Sequence, residues 1–249
     1  MTNSLKKFFV LSSVIFTFFL FVFAKTKPSA SHISLMHSTP AGNGEKLPVS
    51  NRANVYDSLK LNLSGLTKQA FDYAVTGYRS LLSMGKLSND SIISIVDFTL
   101  SSSKKRLFVI DIKNYKVLYN TYVAHGRNSG TEYAKKFSNN PESYKSSLGF
   151  YVTGDTYKGE HGYSLRLEGE EKGINDNAYS RAIVMHSAPY VNEKYIKAKG
   201  YIGRSLGCPA IPQKVYKPII EKIKNGTCLF LYSPNNYYIS HSTFLQHTS

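Results

Sequence analysis

Two short segments carry residue types that can act together as nucleophile and base. Ile183 to Tyr190 (IVMHSAPY) is a strand-like apolar run that ends in His186 and breaks at Pro189. Gly203 to Pro212 (GRSLGCPAIP) sets Cys208 between glycines and prolines, on a turn expected to lead into a helix. A free thiol ionises near pH 8.5, so little thiolate exists at neutral pH without help. A nearby imidazole can take the thiol proton. His186 at a strand end would be held stiffly, as a base should be. Gly207 lets backbone approach closely beside Cys208, whose own N–H can then face a developing oxyanion. A helix starting just after Cys208 would further favour thiolate through its dipole. The competing reading makes Cys208 a small buried residue, or the disulfide partner of Cys228, which is the other cysteine of the chain. Against that pairing, Cys228 stands in an apolar run (TCLFL) where a core thiol is ordinary. An isolated strand-end histidine, likewise, is more often structural than catalytic.

Other polar residues are weighed the same way. His161, Tyr163 and Arg181 are candidates to line a substrate cleft, against solvated loop or β-face positions. Arg204 and Ser205, on the cysteine segment, are further substrate-side candidates. His161 has Asp155 and Glu160 nearby, but no His-x-x-His spacing accompanies them, so no metal site is assigned. The chemistry needs no cofactor.

These residues require elements to hold them. Thr67 is a candidate N-cap, and Ala70, Phe71, Ala74, Val75, Tyr78, Leu81 and Leu82 recur at helical spacing, with Gly77 as an interruption. Strand texture begins at Ile92 and runs to Leu100. Arg106 to Ile112 and Val117 to Ala124, joined by Lys113-Asn114, read as a hairpin. Ser147 to Thr153, Tyr163 to Leu167, Arg181 to Met185 and Thr227 to Tyr232 are further strands. A late helix fits Pro212 to Lys224, kinked at Pro218 or starting there. The sum is a mostly β (α+β) domain, a sandwich or barrel with one leading helix and one helix after Cys208.

The chain of 249 residues is 42% hydrophobic, which supports a core and excludes a wholly disordered or disulfide-only scaffold. Lys6 and Lys7 precede an apolar run from Phe8 to Ala24, the pattern of a secretory signal; its 17 residues also suit a retained single-pass anchor. Either reading of 1–24 exports the rest to a periplasmic or extracellular face. Residues 25–54, rich in Ser, Pro, Gly and Asn, read as a flexible linker. The patterned domain spans 55–235, and 236–249 reads as a C-terminal tail, with Tyr237 and Tyr238 as packing or fray. The net charge of +15 points to an anionic partner, a wall polymer or membrane surface. No nucleic-acid motif interleaves the lysines, and export makes nucleic acid a poor partner.

Taken together, the two reactive segments resemble the L,D-transpeptidase catalytic domain, the cysteine enzymes that cross-link bacterial peptidoglycan. That family carries a His followed, after roughly fifteen to twenty residues, by Ser-His-Gly-Cys. The matching pieces are His186-Ser187 and Ser205-Leu206-Gly207-Cys208, with 22 positions from His186 to Cys208. Ser146 to Val152 is similar to the family's substrate-side strand, and His125-Gly126-Arg127 fits the element before it. A divergent branch, with Gly-Tyr-Ser-Leu-x-Leu-x-Gly and Gly-Arg-Ser-x-Gly-Cys-Pro-Ala segments, is closer still, matching Gly162 to Gly169 and Gly203 to Ala210. The resemblance implies attack by Cys208 on a stem peptide, His186 as base, the Ser187 carbonyl orienting its ring, and the N–H groups of Gly207 and Cys208 stabilising the oxyanion. Two departures stand out. Leu206 replaces the family's His before Gly-Cys, and Ala210 replaces the usual Arg or Asn two places after the cysteine. Arg204, four residues before Cys208, is a candidate to supply a cation instead. The resemblance leaves open an L,D-carboxypeptidase on the same stems and a non-catalytic wall-binding domain.

Overall fold

The computed structural model describes residues 55–246. The readings of 1–24 and 25–54 concern residues outside these, apart from the linker's last boundary. Eight strands form one mixed sheet: β1 (Ile92–Asp97), β2 (Leu107–Asp111), β3 (Lys116–Thr121), β4 (Gly149–Gly159), β5 (Gly162–Gly169), β6 (Val184–Ala188), β7 (Ala210–Pro212) and β8 (Cys228–Tyr232). Their order is β3-β2-β1-β8-β4-β5-β6-β7. The three strands β1, β2 and β8 are buried at every residue, which is why they read as continuous apolar runs rather than alternating ones. Chain that continues from β3 returns to the far edge. The Ala124 N–H donates to Ala210 O at 2.8 Å, and Gly126 bridges Ser205. The sheet therefore nearly closes on itself as a mixed barrel, and the closure seam runs beside the cysteine segment.

Helix α1 (Lys68–Ser83) starts where the Thr67 side chain accepts the Ala70 N–H. Thr67 is in turn tied to the end of β1, donating through Oγ1 to Asp97 Oδ2 at 2.7 Å. Ala70, Phe71, Ala74, Val75, Tyr78 and Leu81 face the core, whereas Leu82 turns out to solvent. Gly77 is no weakness in this helix: a Cβ there would lie 2.1 Å from Phe150 Cζ, so the missing side chain is what lets α1 cross β4. Phe150 also stacks on Phe230 with ring centroids 4.1 Å apart, joining β4 to β8.

Three readings change. Pro212 closes β7 rather than opening a helix, and α3 runs Tyr216–Ile223, which puts Pro218 in the first turn, where its missing N–H costs nothing. The strand expected at 181–185 begins at Val184, because Arg181 and Ala182 are spent on the preceding turn. Residues 236–246 are not a tail: α4 (Asn236–His241) and α5 (Thr243–Gln246) bury Tyr238, Phe244 and Leu245. Buried Glu171 fixes them, accepting from the Phe150 N–H at 2.7 Å, from Tyr238 Oη at 3.1 Å and from Ser242 Oγ. A further helix, α2 (Glu193–Lys199), lies between β6 and β7, capped by Asn192 and stopped by Gly200 at φ +83°.

Candidate active site

His186 sits mid-way along β6, and Cys208 lies just before β7. The strands are parallel, with His186 opposite Ala210. Cys208 precedes that partner by two residues, in the bend that leads into β7. The sequence separation of 22 positions is thus folded out by the α2 excursion. Helix α3 packs on this end of the sheet through buried Ile219, Ile220 and Ile223, stiffening the strands beneath the pair.

His186 is buried, and its Nδ1 lies 2.9 Å from Ser187 O. A carbonyl can only accept, so Nδ1 carries the proton and Nε2 keeps its lone pair. Burial lowers the His186 pKa, and the neighbouring His161 lowers it further, so the ring is held neutral and basic at Nε2. The His161 ring stacks on it at a 4.3 Å centroid distance. It reaches there because the outer half of the β4–β5 hairpin runs beyond the β8 pairing, past a register shift between Thr153 and Thr156. The tight Glu160-His161 turn then carries His161 over β6.

The half-buried Cys208 donates through Sγ toward Ala182 O at 3.7 Å; among the described residues no hydrogen bond joins it to His186. Ala182 has φ +52°, a left-handed conformation unusual for a residue with a Cβ, and this aims its carbonyl at the thiol. Burial raises the Cys208 pKa, opposed by the Val184 N–H, the Arg181 guanidinium and its own N–H. Both partners are therefore neutral at rest, and the arrangement suits proton transfer during attack rather than a standing ion pair. No helix N-terminus assists, since β7 and not a helix follows Cys208. Cys228 is free and buried in β8, and Cys208 is free as well.

The turn that presents Cys208 is held from within. The Gly207 N–H donates to Ser205 Oγ at 3.1 Å, and Ser205 Oγ donates to Cys208 O at 2.6 Å. This corrects two expectations. The Gly207 N–H is taken up by Ser205 and is not free for the oxyanion role expected of it. Ser205 is a buried turn former, not a surface for substrate. Gly207 itself, at φ +132°, fits because a Cβ would meet Lys145 O at 2.9 Å.

The other candidates separate. Arg181 belongs to the site: its guanidinium donates to Ser138 O at 2.9 Å and Lys145 O at 2.8 Å, fixing its charge beside Cys208. Tyr163 is drawn to α3 instead, donating to Glu221. Arg204 donates through Nη1 to Arg127 O and Gly130 O, both at 3.1 Å, and so braces the 127–130 loop. Tyr190 escaped the sequence reading. Burial, and then the charge of an ionised Cys208, push its pKa up to about 12. Leu206 is exposed, so it cannot stand in for the imidazole whose place it takes.

Beneath the turn lies a fully buried Arg106. It donates to Val123 O through Nε and Nη2, to Leu100 O through Nη1, and through Nη2 to His125 Nδ1 at 2.7 Å. Arginine only donates, so His125 accepts at Nδ1 and gives its Nε2 proton to Gly130 O. Burial first and Arg106 second pull the His125 pKa down to about 3. The unfolded chain binds a proton on this ring below pH 6.5 that the folded chain refuses until about 3. Folding stability should therefore fall as pH drops through that window, by about 1.4 kcal/mol per pH unit. Urea unfolding of wild type and His125→Gln across the window checks this. The variant should show the shallower slope, and equal slopes would refute the assignment.

With this geometry in place, the chain was compared with known proteins. Residues 62–232 match the family model described as "L,D-transpeptidase catalytic domain". The chain belongs to this family. A comparison with curated proteins gave no match. Among solved structures, the chain is similar to an L,D-transpeptidase from Mycobacterium smegmatis at 13% identity and TM-score 0.36, covering 57% of this chain and 59% of that one. It is also similar to the helical cell shape determining protein Pgp2 from Campylobacter jejuni, at 10% identity and TM-score 0.40, covering 65% and 57%. An L,D-transpeptidase from Stackebrandtia nassauensis matches at 13% identity and TM-score 0.35, covering 67% and 68%. The first two matches span less than two thirds of those chains. The nearly closed mixed barrel with its flanking helices is the fold of this family.

Proposed function

We propose that the chain is an exported cysteine acyltransferase that acts on peptidoglycan stem peptides and joins two stems by L,D-transpeptidation. The observation that carries this reading is the β6–β7 register, which pairs a neutral His186 with Ala210, two residues after Cys208, in a family member. In this scheme Sγ leaves Ala182 O and its proton is taken by His186 Nε2. Sγ attacks the carbonyl between an L-centre and a terminal D-residue. The Cys208 N–H donates to the oxyanion, and Arg181 adds positive potential. The C–N bond breaks as Nε2 returns the proton to the leaving amine, giving a thioester. An incoming amine attacks that thioester and loses its proton to Nε2. The C–S bond breaks and Sγ is reprotonated. Because Leu206 holds the family's second imidazole position, His186 is the sole base of this scheme. The basic composition suits export to an anionic wall or membrane surface.

The test is product analysis with a tetrapeptide stem, with and without an added amine acceptor. Transpeptidation predicts that the amine diverts product from free acid to amide in a dose-dependent way. Acid product at every amine concentration would identify an L,D-carboxypeptidase instead. No turnover of the stem, with Cys208 titrating as a free thiol, would favour a wall-binding domain.

A further inference from the structure

Met185 lies in the core, paired with Leu165, so the next residue of β6, His186, points from the opposite face of the sheet. His186 is nevertheless only 3% exposed. Its cover comes from chain laid over that face. Among the described residues the ring stacked on it is His161, with centroids 4.3 Å apart and planes 23° from parallel. His161 itself is exposed, so one face of its ring meets His186 and the rest meets solvent.

The turn that presents His161 is held. Gly159 pairs with Gly162, leaving Glu160-His161 as a two-residue turn. Gly162 takes φ +78°, a conformation that residues with a side chain rarely adopt. Tyr163 ties the same end of the hairpin to α3 by donating to Glu221. The stack is thus set by anchored backbone, not by a free side chain settling on its neighbour.

Stacking restrains His186 where its hydrogen bond does not. The bond from Nδ1 to Ser187 O fixes one ring atom and leaves the ring free to tilt about it. A second ring lying against the first fixes the plane and keeps water from that face. Among the described residues no hydrogen bond or ion pair joins either imidazole to the titratable groups around them. These are Glu160 in the turn, Tyr163 and Glu221 beside it, and Cys208 and Arg181 at the thiol.

We infer that His161 is a positioning residue for the reaction: its ring holds the plane of His186 and shuts water from it, and so sets the rate at which the base takes the Cys208 proton. The inference rests on the acyltransferase reading and gives His161 a part that a residue merely lining a substrate cleft does not have.

The test compares the full wild-type chain with His161→Phe, which keeps a ring on His186, and His161→Ala, which removes it. Unfolding temperatures confirm that both variants are folded. Single-turnover acylation by a tetrapeptide stem is followed against stem concentration and pH. At saturating stem His161→Ala should acylate roughly ten- to a hundredfold more slowly, as expected for a base no longer held in place, with the half-saturating concentration unchanged. His161→Phe should stay within about threefold of wild type, because the stacked face is kept. Hydrating the ring and removing the neighbouring imidazole both raise the His186 pKa. The acid limb of His161→Ala should therefore move to higher pH, and that of His161→Phe should move less. A ring-proton NMR titration of His186, assigned with His186→Gln, should show the same order without turnover. His161→Phe as slow as His161→Ala, or a pH profile and His186 titration that neither variant moves, would overturn the inference. So would an effect confined to the half-saturating concentration, which would make His161 a stem contact. A wild-type thioester formed at a rate that both variants share sinks the role of His161 alone. No thioester in the wild type sinks the acyltransferase reading, and the role with it.

Discussion

His186→Gln is expected to slow acylation of Cys208 by roughly 10²–10⁴-fold, the usual contribution of a positioned general base. Glutamine nearly fills the ring's volume and can still donate to Ser187 O, but it has no basic nitrogen to replace Nε2. The effect should fall at the large end of the range for two reasons. Burial keeps Cys208 protonated, so the uncatalysed thiolate route is poorly populated. Leu206, where the family carries an imidazole, offers no second base. Wild-type acylation should lose rate as acid protonates His186, with a midpoint below the ordinary histidine value because the ring is buried and faces His161. The variant should lack that limb and follow thiol ionisation alone. Single-turnover acylation against pH, for both proteins, checks this. A variant within a fewfold of wild type would remove His186 from the mechanism.

Arg106→Met is expected to be the most damaging single change to stability, about 3–5 kcal/mol. Methionine matches the apolar stem but leaves Val123 O, Leu100 O and His125 Nδ1 without their donor. Each unsatisfied buried group costs about 1–3 kcal/mol, and relaxation recovers part of the sum. For a domain of this size the melting temperature should drop on the order of 10 °C. The consequence extends to the site, because His125 O receives the Ser205 N–H and Ser205 shapes the cysteine turn. Urea denaturation, with the slope compared between the two proteins, measures the loss. A change under 1 kcal/mol would show that the network is dispensable.

The parts of the fold that could be read from the sequence are those written locally. The α1 face repeats every three to four residues, and the β2–β3 hairpin is two β-rich runs around Lys113-Asn114. His186 and Cys208 stood out because a strand-end imidazole and a glycine-flanked thiol are chemically conspicuous. What could not be read is set by long-range pairing. β7 has three residues, all of them within a Pro-Ala-Ile-Pro stretch that reads as a helix lead-in; only pairing with β6 makes it a strand. The return of 124–126 to the Ala210 edge has no local signal. Helices α4 and α5 are too short to show a period, and buried Glu171, which organises them, reads in sequence as one more surface acid. Ser205 shows the limit at the site itself. Its type and place suit substrate contact, yet the turn consumes its hydroxyl and the Arg127 N–H takes its carbonyl. Tyr190 carried no motif; Gly203 opposite its ring was the available hint, since glycine there makes room for an aromatic.

The central claim is that Cys208 forms a thioester with a peptidoglycan stem. Its most direct test is the intact mass of the chain after mixing with a tetrapeptide-stem muropeptide and quenching in acid, beside Cys208→Ala. The account predicts a mass gain equal to the stem minus its terminal D-residue in the wild type and no gain in the variant. An unmodified wild-type chain with its Cys208 thiol confirmed free, or an adduct that persists in Cys208→Ala, would contradict it.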